Sequence, residues 1–236
     1  MIVFQAVILV AGEGKRLRPF TETIPKSLIK VNEKSLLQRQ IEILFNNGIT
    51  EIILISGYKS DLIKNFLEQQ NLRNIKIIFN DKFDEFDTLY SLWLAQKYVT
   101  SDYILLYGDL IFDEQIISSF LKQDFRSGLV IDSTPNFDNH SILLENSLVK
   151  AIDLNFDNEN PNAQFIGICK FSGADVTYFK KCIGDFISKN GFTGEYVIFL
   201  KYLIQQNFSI FGFSVGKFRW INVNDEEKLK LAQNFF

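Results

Sequence analysis

The sequence is poor in the side chains that bind transition metals or cross-link chains. In 236 residues there is one histidine, His140, and two cysteines, Cys169 and Cys182. The cysteines form neither a C-x-x-C pair nor a cluster with the histidine, which argues against a zinc site or a disulfide framework and suits a reducing, cytoplasmic setting. An excess of basic charge is missing as well. Lysine and arginine number 25 against 28 aspartates and glutamates, a formal net charge of −3, so no global positive field points to nucleic acid. No apolar run is long enough to span a membrane. The run at residues 3–10 has no basic flank before it and leads straight into a polar loop, which is not how a signal peptide is built. Repeats and low-complexity tracts are absent, and the mixed charges elsewhere are those of ordinary solvated faces. The length suits one large α/β domain with a sizeable core.

What the chain does contain is concentrated just after its first apolar run. Residues 9–19 read Leu-Val-Ala-Gly-Glu-Gly-Lys-Arg-Leu-Arg-Pro, followed by Pro25-Lys26. Gly12 and Gly14 arrive where a buried strand must turn, and glycine there lets backbone N–H groups approach an anion closely. Lys15, Arg16, Arg18 and Lys26 add cations to the same short loop. The combination suits a polyanionic ligand such as a nucleoside triphosphate; a solvated basic turn is the plainer alternative. Two better-known glycine motifs do not fit. The third glycine of a dinucleotide fingerprint is replaced by Leu17. A Walker loop would need Ser or Thr where Arg16 stands and a glycine where Leu9 stands.

The pattern Ala11-Gly12-x-Gly14-x-Arg16-Leu17-x-Pro19, continued by Thr21 and Pro25-Lys26, resembles the signature of the nucleotidyltransferases that join sugar phosphates or alcohol phosphates to nucleotides. The rest of the chain suits that resemblance. Residues 3–10, 51–56, 75–79 and 103–107 read as strands, and residues 35–47, 61–69 and 88–98 as helices, the second capped by Ser60 or Asp61. This alternation predicts a parallel, doubly wound sheet. Beyond about residue 125 shorter strands follow, at 128–131, 141–144, 148–152, 165–171 and 208–215. Helices at 174–188 and 195–206 interrupt them, and residues 155–162 form a polar, turn-rich segment.

Three further stretches carry chemistry. In Tyr107-Gly108-Asp109-Leu110-Ile111-Phe112 a carboxylate stands at the C-terminal end of a strand, facing the crevice where open α/β sheets bind ligands. Magnesium takes oxygen ligands and accompanies triphosphates, and this Gly-Asp resembles the family position that holds the catalytic metal. Residues 80–92, Asn-Asp-Lys-Phe-Asp-Glu-Phe-Asp-Thr-Leu-Tyr-Ser-Leu, are similar to the corresponding stretch of bacterial CTP:phosphocholine cytidylyltransferases; where those enzymes typically have Asn-Asn, this chain has Asp87-Thr88. Residues 220–229 resemble the family's Trp-Ile-Asp-Val-Asn/Asp pattern, except that Asn222 and Asn224 stand where acidic residues usually do. An asparagine can offer magnesium a carbonyl oxygen but no charge.

The resemblance implies a three-layer, Rossmann-like nucleotide-diphospho-sugar transferase fold with a mainly parallel central sheet, as one domain over 1–236. Within it residues 1–125 would hold the nucleotide, 126–219 would shape the acceptor pocket, and 220–236 would supply a metal-site strand and a C-terminal helix; no β-helix of the kind carried by longer relatives is expected. It implies Arg16, Lys26 and Asp109 as catalytic residues. Ala11, Gly12, Glu13, Gly14, Lys15, Asp87, Thr88, Ser91 and Gly108 would join Arg16 and Lys26 around the nucleotide. Asp109, Asn222 and Asn224 would hold Mg2+. Tyr90, Gly167, Glu195 and Trp220 are the expected acceptor contacts: Phe165-Ile166-Gly167 resembles a family strand beside a sugar phosphate, and Gly194-Glu195-Tyr196 the Gly-Glu-Phe of the phosphocholine enzymes. A quaternary ammonium would need ring faces, for which Tyr90, Trp93, Phe165, Phe192, Tyr196 and Trp220 are candidates. The implied partners are an NTP, CTP favoured, and a small phosphorylated alcohol, amino-alcohol or sugar 1-phosphate, with no nucleic acid or membrane; monomer and homodimer both stay open. His140 is expected to be structural or part of the acceptor pocket. Two other readings remain: nucleotide binding without turnover, suggested by Asn222 and Asn224, and a glycosyltransferase on the same fold, against which Asp109-Leu110-Ile111 lacks an Asp-x-Asp.

Overall fold

In the computed structural model, which describes residues 5–134, 140–153 and 160–236, strands and helices alternate from the start. The N-terminal half runs β1 Gln5–Val10, α1 Phe20–Thr23, β2 Lys30–Val31, β3 Lys34–Ser35, α2 Leu36–Asn46, β4 Glu51–Ser56 and α3 Ser60–Gln69. It continues through β5 Ile75–Phe79, α4 Thr88–Gln96, β6 Tyr103–Tyr107, β7 Leu110–Phe112 and α5 Glu114–Phe120. The second half runs β8 Ser127–Asp132, β9 Ser141–Glu145, β10 Leu148–Asp153, β11 Ala163–Phe171, α6 Ala174–Asn190 and α7 Val197–Gln205. It ends with β12 Phe211–Ser214, β13 Trp220–Asn222 and α8 Glu226–Phe235. The first two residues of the expected strand at 3–10, and most of the turn-rich 155–162 segment, lie outside the described residues.

Nine strands form one sheet in the order β5-β4-β1-β6-β11-β8-β12-β10-β9. The first four are mutually parallel, as the helical crossovers between them require. β11 then runs antiparallel between β6 and β8, and β12 lies parallel to β8. The parallel character of the sheet is thus a property of its N-terminal half, and the second half is mixed.

Three layers follow from the side-chain alternation of the buried strands. Val7, Leu9, Ile53, Ile55 and Leu105 face one core shared with α4, α6 and α7. Ala6, Ile8, Val10, Ile52, Leu54, Ile104 and Leu106 face the opposite core beneath α2, α3 and α5. Both faces being covered, these strands read as near-continuous apolar runs. A third, smaller core joins Leu17 of the cationic loop to Val31 and Leu36, and to Ile111, Ile221, Val223 and Leu229. That core ties the glycine loop to β7, β13 and α8, so three segments distant in sequence become one rigid corner.

Two local expectations change. α3 has no side-chain cap from Ser60 or Asp61: it begins at Ser60 itself, with Lys59 in the left-handed conformation (φ 51°), and the Ser60 hydroxyl instead pairs with Ser56 Oγ at 2.7 Å. α7 starts at Val197, later than residue 195, because Gly194 takes φ 93° and Tyr196 occupies the cap position. Glu195 is thereby left at the helix entrance, turned towards the crevice described next.

Candidate active site

β1 leads on one side to β4 and β5 and on the other borders β6, so the sheet reverses its direction of winding between β1 and β6. A crevice opens at the carboxyl ends of strands at such a switch point. A cavity of about 440 Å³ lies there. Leu9 and Val10 from the end of β1, and Tyr107 and Gly108 from the end of β6, line it. Gly108 has no room for a side chain, since a Cβ would come 2.2 Å from Val10 Cγ1; its N–H donates to the Leu9 carbonyl at 3.0 Å. That contact turns the chain and delivers Asp109 to the cavity.

The glycine loop forms one wall. Gly14 sits in the left-handed region (φ 66°), where a Cβ would press within 3.0 Å of Lys26 Cβ and 3.1 Å of Thr21 Cγ2. The Thr21 hydroxyl donates to the Gly14 carbonyl at 3.0 Å, and Tyr58 Oη donates to the Thr21 carbonyl at 2.9 Å. Gly12 differs: a Cβ there would meet nothing within 4 Å, so its bare backbone borders open space that a ligand can fill. The cations separate. Arg16 and Lys26 line the cavity. Lys15 and Glu13 border an adjoining recess that shares Gly14, Arg16, Lys26 and Asn224 with it. Lys15 and Arg18 pair with Glu13 at 3.6 and 3.4 Å.

Lys26 is the hub. Its Nζ donates to Asp109 Oδ2 at 2.6 Å and to Asn224 Oδ1 at 2.5 Å, bringing together residues from the N-terminal loop, the β6–β7 turn and the segment after β13. β13 pairs antiparallel with β7, Asn222 opposite Leu110, and Val223 N–H donates to the Asp109 carbonyl at 2.9 Å. Asp109 Oδ1 and Asn222 Oδ1 are both buried and accept no hydrogen bond from any protein donor. Buried acceptors are rarely left so. With Ser27 Oγ, also buried and without a partner among the described residues, these oxygens line one cavity beside the anion-suited loop; oxygen donors are what a hard divalent cation takes, so the residues fit magnesium. Its charge complement is small, one carboxylate already shared with Lys26, and among the described residues no cluster of three or more His, Cys, Asp or Glu is arranged for a metal.

The opposite wall comes mostly from the second half, joined by the start of α4. Phe165, Ile166 and Gly167 of β11, with Asp87, Thr88, His140 and Glu195, complete the lining. Glu195 Oε2 accepts from Tyr107 Oη at 3.1 Å and lies 3.6 Å from His140 Nε2. Burial first, then the negative charge of Asp87, pushes the Glu195 carboxyl above its ordinary range. Burial pushes His140 down against the charges of Asp153 and Asp87, which favours its neutral imidazole.

Several expected contacts are not brought to the cavity. Ser91 is buried and accepts from Asn80 Nδ2 at 3.0 Å, while Asn80 Oδ1 accepts from Lys82 N–H at 2.9 Å. That part of the 80–92 motif braces the end of β5 against α4. Tyr90 and Trp93 pack with Phe86 and Phe192 at centroid distances of 4.9–5.6 Å, in a ring cluster outside the lining. Trp220 Nε1 donates to Asp132 Oδ2 at 2.9 Å. Ala11 follows β1, its carbonyl accepting from Tyr58 N–H at 2.9 Å.

One contributor escapes the motif reading. Gln40, buried on α2, donates from Nε2 to the carbonyls of Tyr107 at 3.0 Å and Leu110 at 2.8 Å. It thereby clamps both ends of the turn that displays Asp109. The signal was present in the periodicity, because Gln40 is a polar residue on the face that buries Leu36, Leu37, Ile41 and Leu44. A second clamp joins Asp113 and Arg219, which make side-chain contacts down to 2.8 Å and fix β7 against β13.

Comparison with known proteins supplies the family and the fold. The family model described as nucleotidyl transferase matches residues 5–137, and the chain belongs to that family. It is 35% identical over 123 residues to a choline-phosphate cytidylyltransferase of Streptococcus pneumoniae, covering 52% of each chain. It is 25% identical over 185 residues to a CTP:phosphoglutamine cytidylyltransferase of Campylobacter jejuni, covering 71% of this chain and 72% of that one. The chain thus spans about half the length of the first of these relatives. Among solved structures, the S. pneumoniae CTP:phosphocholine cytidylyltransferase superposes with a TM-score of 0.83 at 22% identity over 99% of both chains. The inositol-1-phosphate CTP transferase of T. maritima gives 0.83 at 20% identity over 98% of this chain and 94% of that one. These superpositions define the fold, a Rossmann-like nucleotidyltransferase fold. Among the described residues no helix is long and apolar enough to cross a membrane.

Proposed function

We propose that this chain is a magnesium-dependent nucleotidyltransferase that joins an NTP, CTP in preference, to a small phosphorylated alcohol, amino-alcohol or sugar, releasing pyrophosphate. The observation that carries the reading is the convergence of Arg16, Lys26 and Asp109 on one cavity beside Gly12 and Gly14. The preference for CTP is supported by the resemblance of residues 80–92 and by the names of the relatives. Cys169 and Cys182, both free and buried, suit an enzyme of the reducing cytoplasm.

In the reaction an oxygen of the acceptor's phosphate attacks the α-phosphorus in line, and the bond to pyrophosphate breaks. The attacking phosphate is already ionised, so no general base is needed and His140 has no proton to take. Catalysis is then positioning and electrostatic stabilisation. Gly12 and Gly14 present backbone to the triphosphate. Arg16 balances the charge that develops on the departing pyrophosphate. Lys26 stands between the α-phosphate and the incoming phosphate and must leave Asp109 to do so. Asp109 Oδ1 and Asn222 Oδ1 would hold magnesium, with Asn224 beside them; the ion would polarise the α-phosphate. Residues 1–125 and the 220–236 segment serve mainly the nucleotide and metal in this reading, and 126–219 shape most of the acceptor pocket, with Asp87 at its border.

Pyrophosphate release measured with each of the four NTPs and a panel of phosphorylated alcohols and sugar 1-phosphates tests the proposal. Turnover with CTP is the expected result. Equal kcat/KM with UTP or dTTP would overturn the base assignment. The asparagines at 222 and 224 favour one competitor, nucleotide binding without turnover; CTP binding with no pyrophosphate from any acceptor would establish it.

A further inference from the structure

The cavity is electrically lopsided. Its loop wall carries Arg16 and Lys26, and its far wall carries Glu195 and Asp87. Among the described residues the hydrogen-bond donors to that pair are uncharged, Tyr107 Oη to Glu195 and Thr88 N–H to Asp87 at the start of α4, and burial pushes the nearby His140 imidazole towards its neutral form. Arg16 is the weakest of the influences on Glu195, and with a triphosphate bound its charge is matched by phosphate. A carboxylate half-buried beside a second negative charge is costly without a cationic partner. The far wall is also rich in acceptors, Glu195, Asp87 and the imidazole, and poor in open ring faces. Tyr107 and Phe165 are the aromatic residues lining it, and Tyr107 is already packed on Tyr196 at 5.1 Å and on Phe165 at 6.5 Å. The four-ring cluster of Phe86, Tyr90, Trp93 and Phe192 closes on itself, with Lys97 Nζ lying 4.0 Å over Trp93.

Resting on the nucleotidyltransferase reading, we propose that the acceptor is a phosphorylated alcohol bearing a protonated amine with N–H bonds, its ammonium held by Glu195 with Asp87 beside it. A primary ammonium offers three donors to these acceptors. A quaternary ammonium offers none and relies on ring faces, and a hexose phosphate brings no charge to balance the carboxylates. The amine takes no part in bond making: the phosphate end reacts while the ammonium fixes the distance between Glu195 and the attacking oxygen.

Three acceptors matched in length test this with CTP: phosphoethanolamine, phosphocholine and propyl phosphate. The expected kcat/KM for phosphoethanolamine exceeds the other two by at least about tenfold, because only its N–H bonds make charge-assisted hydrogen bonds with Glu195. Glu195→Gln, which keeps an acceptor for Tyr107 Oη, should erase that preference mainly through KM while the melting temperature holds. Preference for phosphocholine or propyl phosphate, or a preference that survives Glu195→Gln, overturns the ammonium site. Calorimetric binding of phosphoethanolamine separates the two readings. Glu195-dependent binding without pyrophosphate release overturns nucleotidyl transfer and supports the ammonium site; neither binding nor release overturns both.

Discussion

The two walls of the cavity are made in different ways. The loop wall is nearly continuous in sequence: Gly12, Gly14, Arg16 and Lys26 fall within fifteen residues, and a small core around Leu17 fixes them. The far wall is assembled from Asp87 at the start of α4, Tyr107 at the end of β6, His140 before β9, Gly167 in β11 and Glu195 before α7. In the proposed reaction the loop wall would meet phosphates, the part common to every NTP, and the far wall would meet whatever distinguishes one acceptor from another. A short contiguous motif can encode the general chemistry, whereas specificity is distributed over elements that can vary one at a time.

The sharpest break in this comparison should come at the loop wall. Arg16→Ala, Lys26→Ala and Asp109→Asn should each lower kcat by about 10²–10³-fold, the usual cost of removing one group that stabilises transition-state charge. Melting temperature should move little for Arg16→Ala, since that side chain is exposed. Near-normal pyrophosphate release by all three variants would remove the loop wall from the chemistry.

The positioning residue beneath it comes next. Gln40→Leu keeps the volume but leaves the Tyr107 and Leu110 carbonyls without their donor, so stability should fall by about 1–3 kcal/mol in urea unfolding. If Gln40 positions Asp109, kcat should fall with KM for the nucleotide nearly constant. A loss of stability with kcat intact would make its role purely structural.

Asn222→Asp adds charge beside the orphaned Asp109 Oδ1. Because affinity of a divalent-cation site follows its ligand charge, magnesium should bind severalfold more tightly in a direct titration, and half-maximal activity should need less of it. No change in either would move the metal away from β13.

The far wall should respond to pH. The folded state holds the Glu195 proton more tightly than the unfolded chain, with its ordinary value of 4.5. The ligand-free protein therefore loses stability from this group as pH rises from 4.5 through the raised folded value. Over the same interval an ammonium-bearing acceptor should bind better, because only the ionised carboxylate attracts it. As pH rises across this range the melting temperature and the acceptor KM should both fall, stability weakening while acceptor binding tightens, and Glu195→Gln should flatten both.

The smallest effect is expected at Ser91→Ala. With Ser91 bracing Asn80, the substitution should lower the melting temperature slightly and leave KM for CTP unchanged; a raised KM would return Ser91 to the base pocket.

The sequence by itself determined β1, β4, β5 and β6 and the helices α2, α3 and α4 between them, because buried strands and helices of that length leave apolar patterns that need no distant partner; the shorter α1, β2, β3, β7 and α5 were not read from it. It also determined the anion-suited loop and Asp109, since backbone turns and the charge beside them are local properties. Tertiary structure decided the rest. β7 and β13 are three residues each, too short for a periodicity to register, and their pairing is what sets Asn222 beside Asp109. β11 enters antiparallel between β6 and β8, a non-local choice that brings Gly167 to the cavity. The same holds for the sorting of cations and rings: Lys15 and Arg18 turn to Glu13 while Arg16 and Lys26 turn inward, and Tyr90 and Trp93 join a cluster while Tyr107 and Phe165 line the wall. Composition can supply a charge or a ring, but the side on which it stands is set by packing among segments many residues apart.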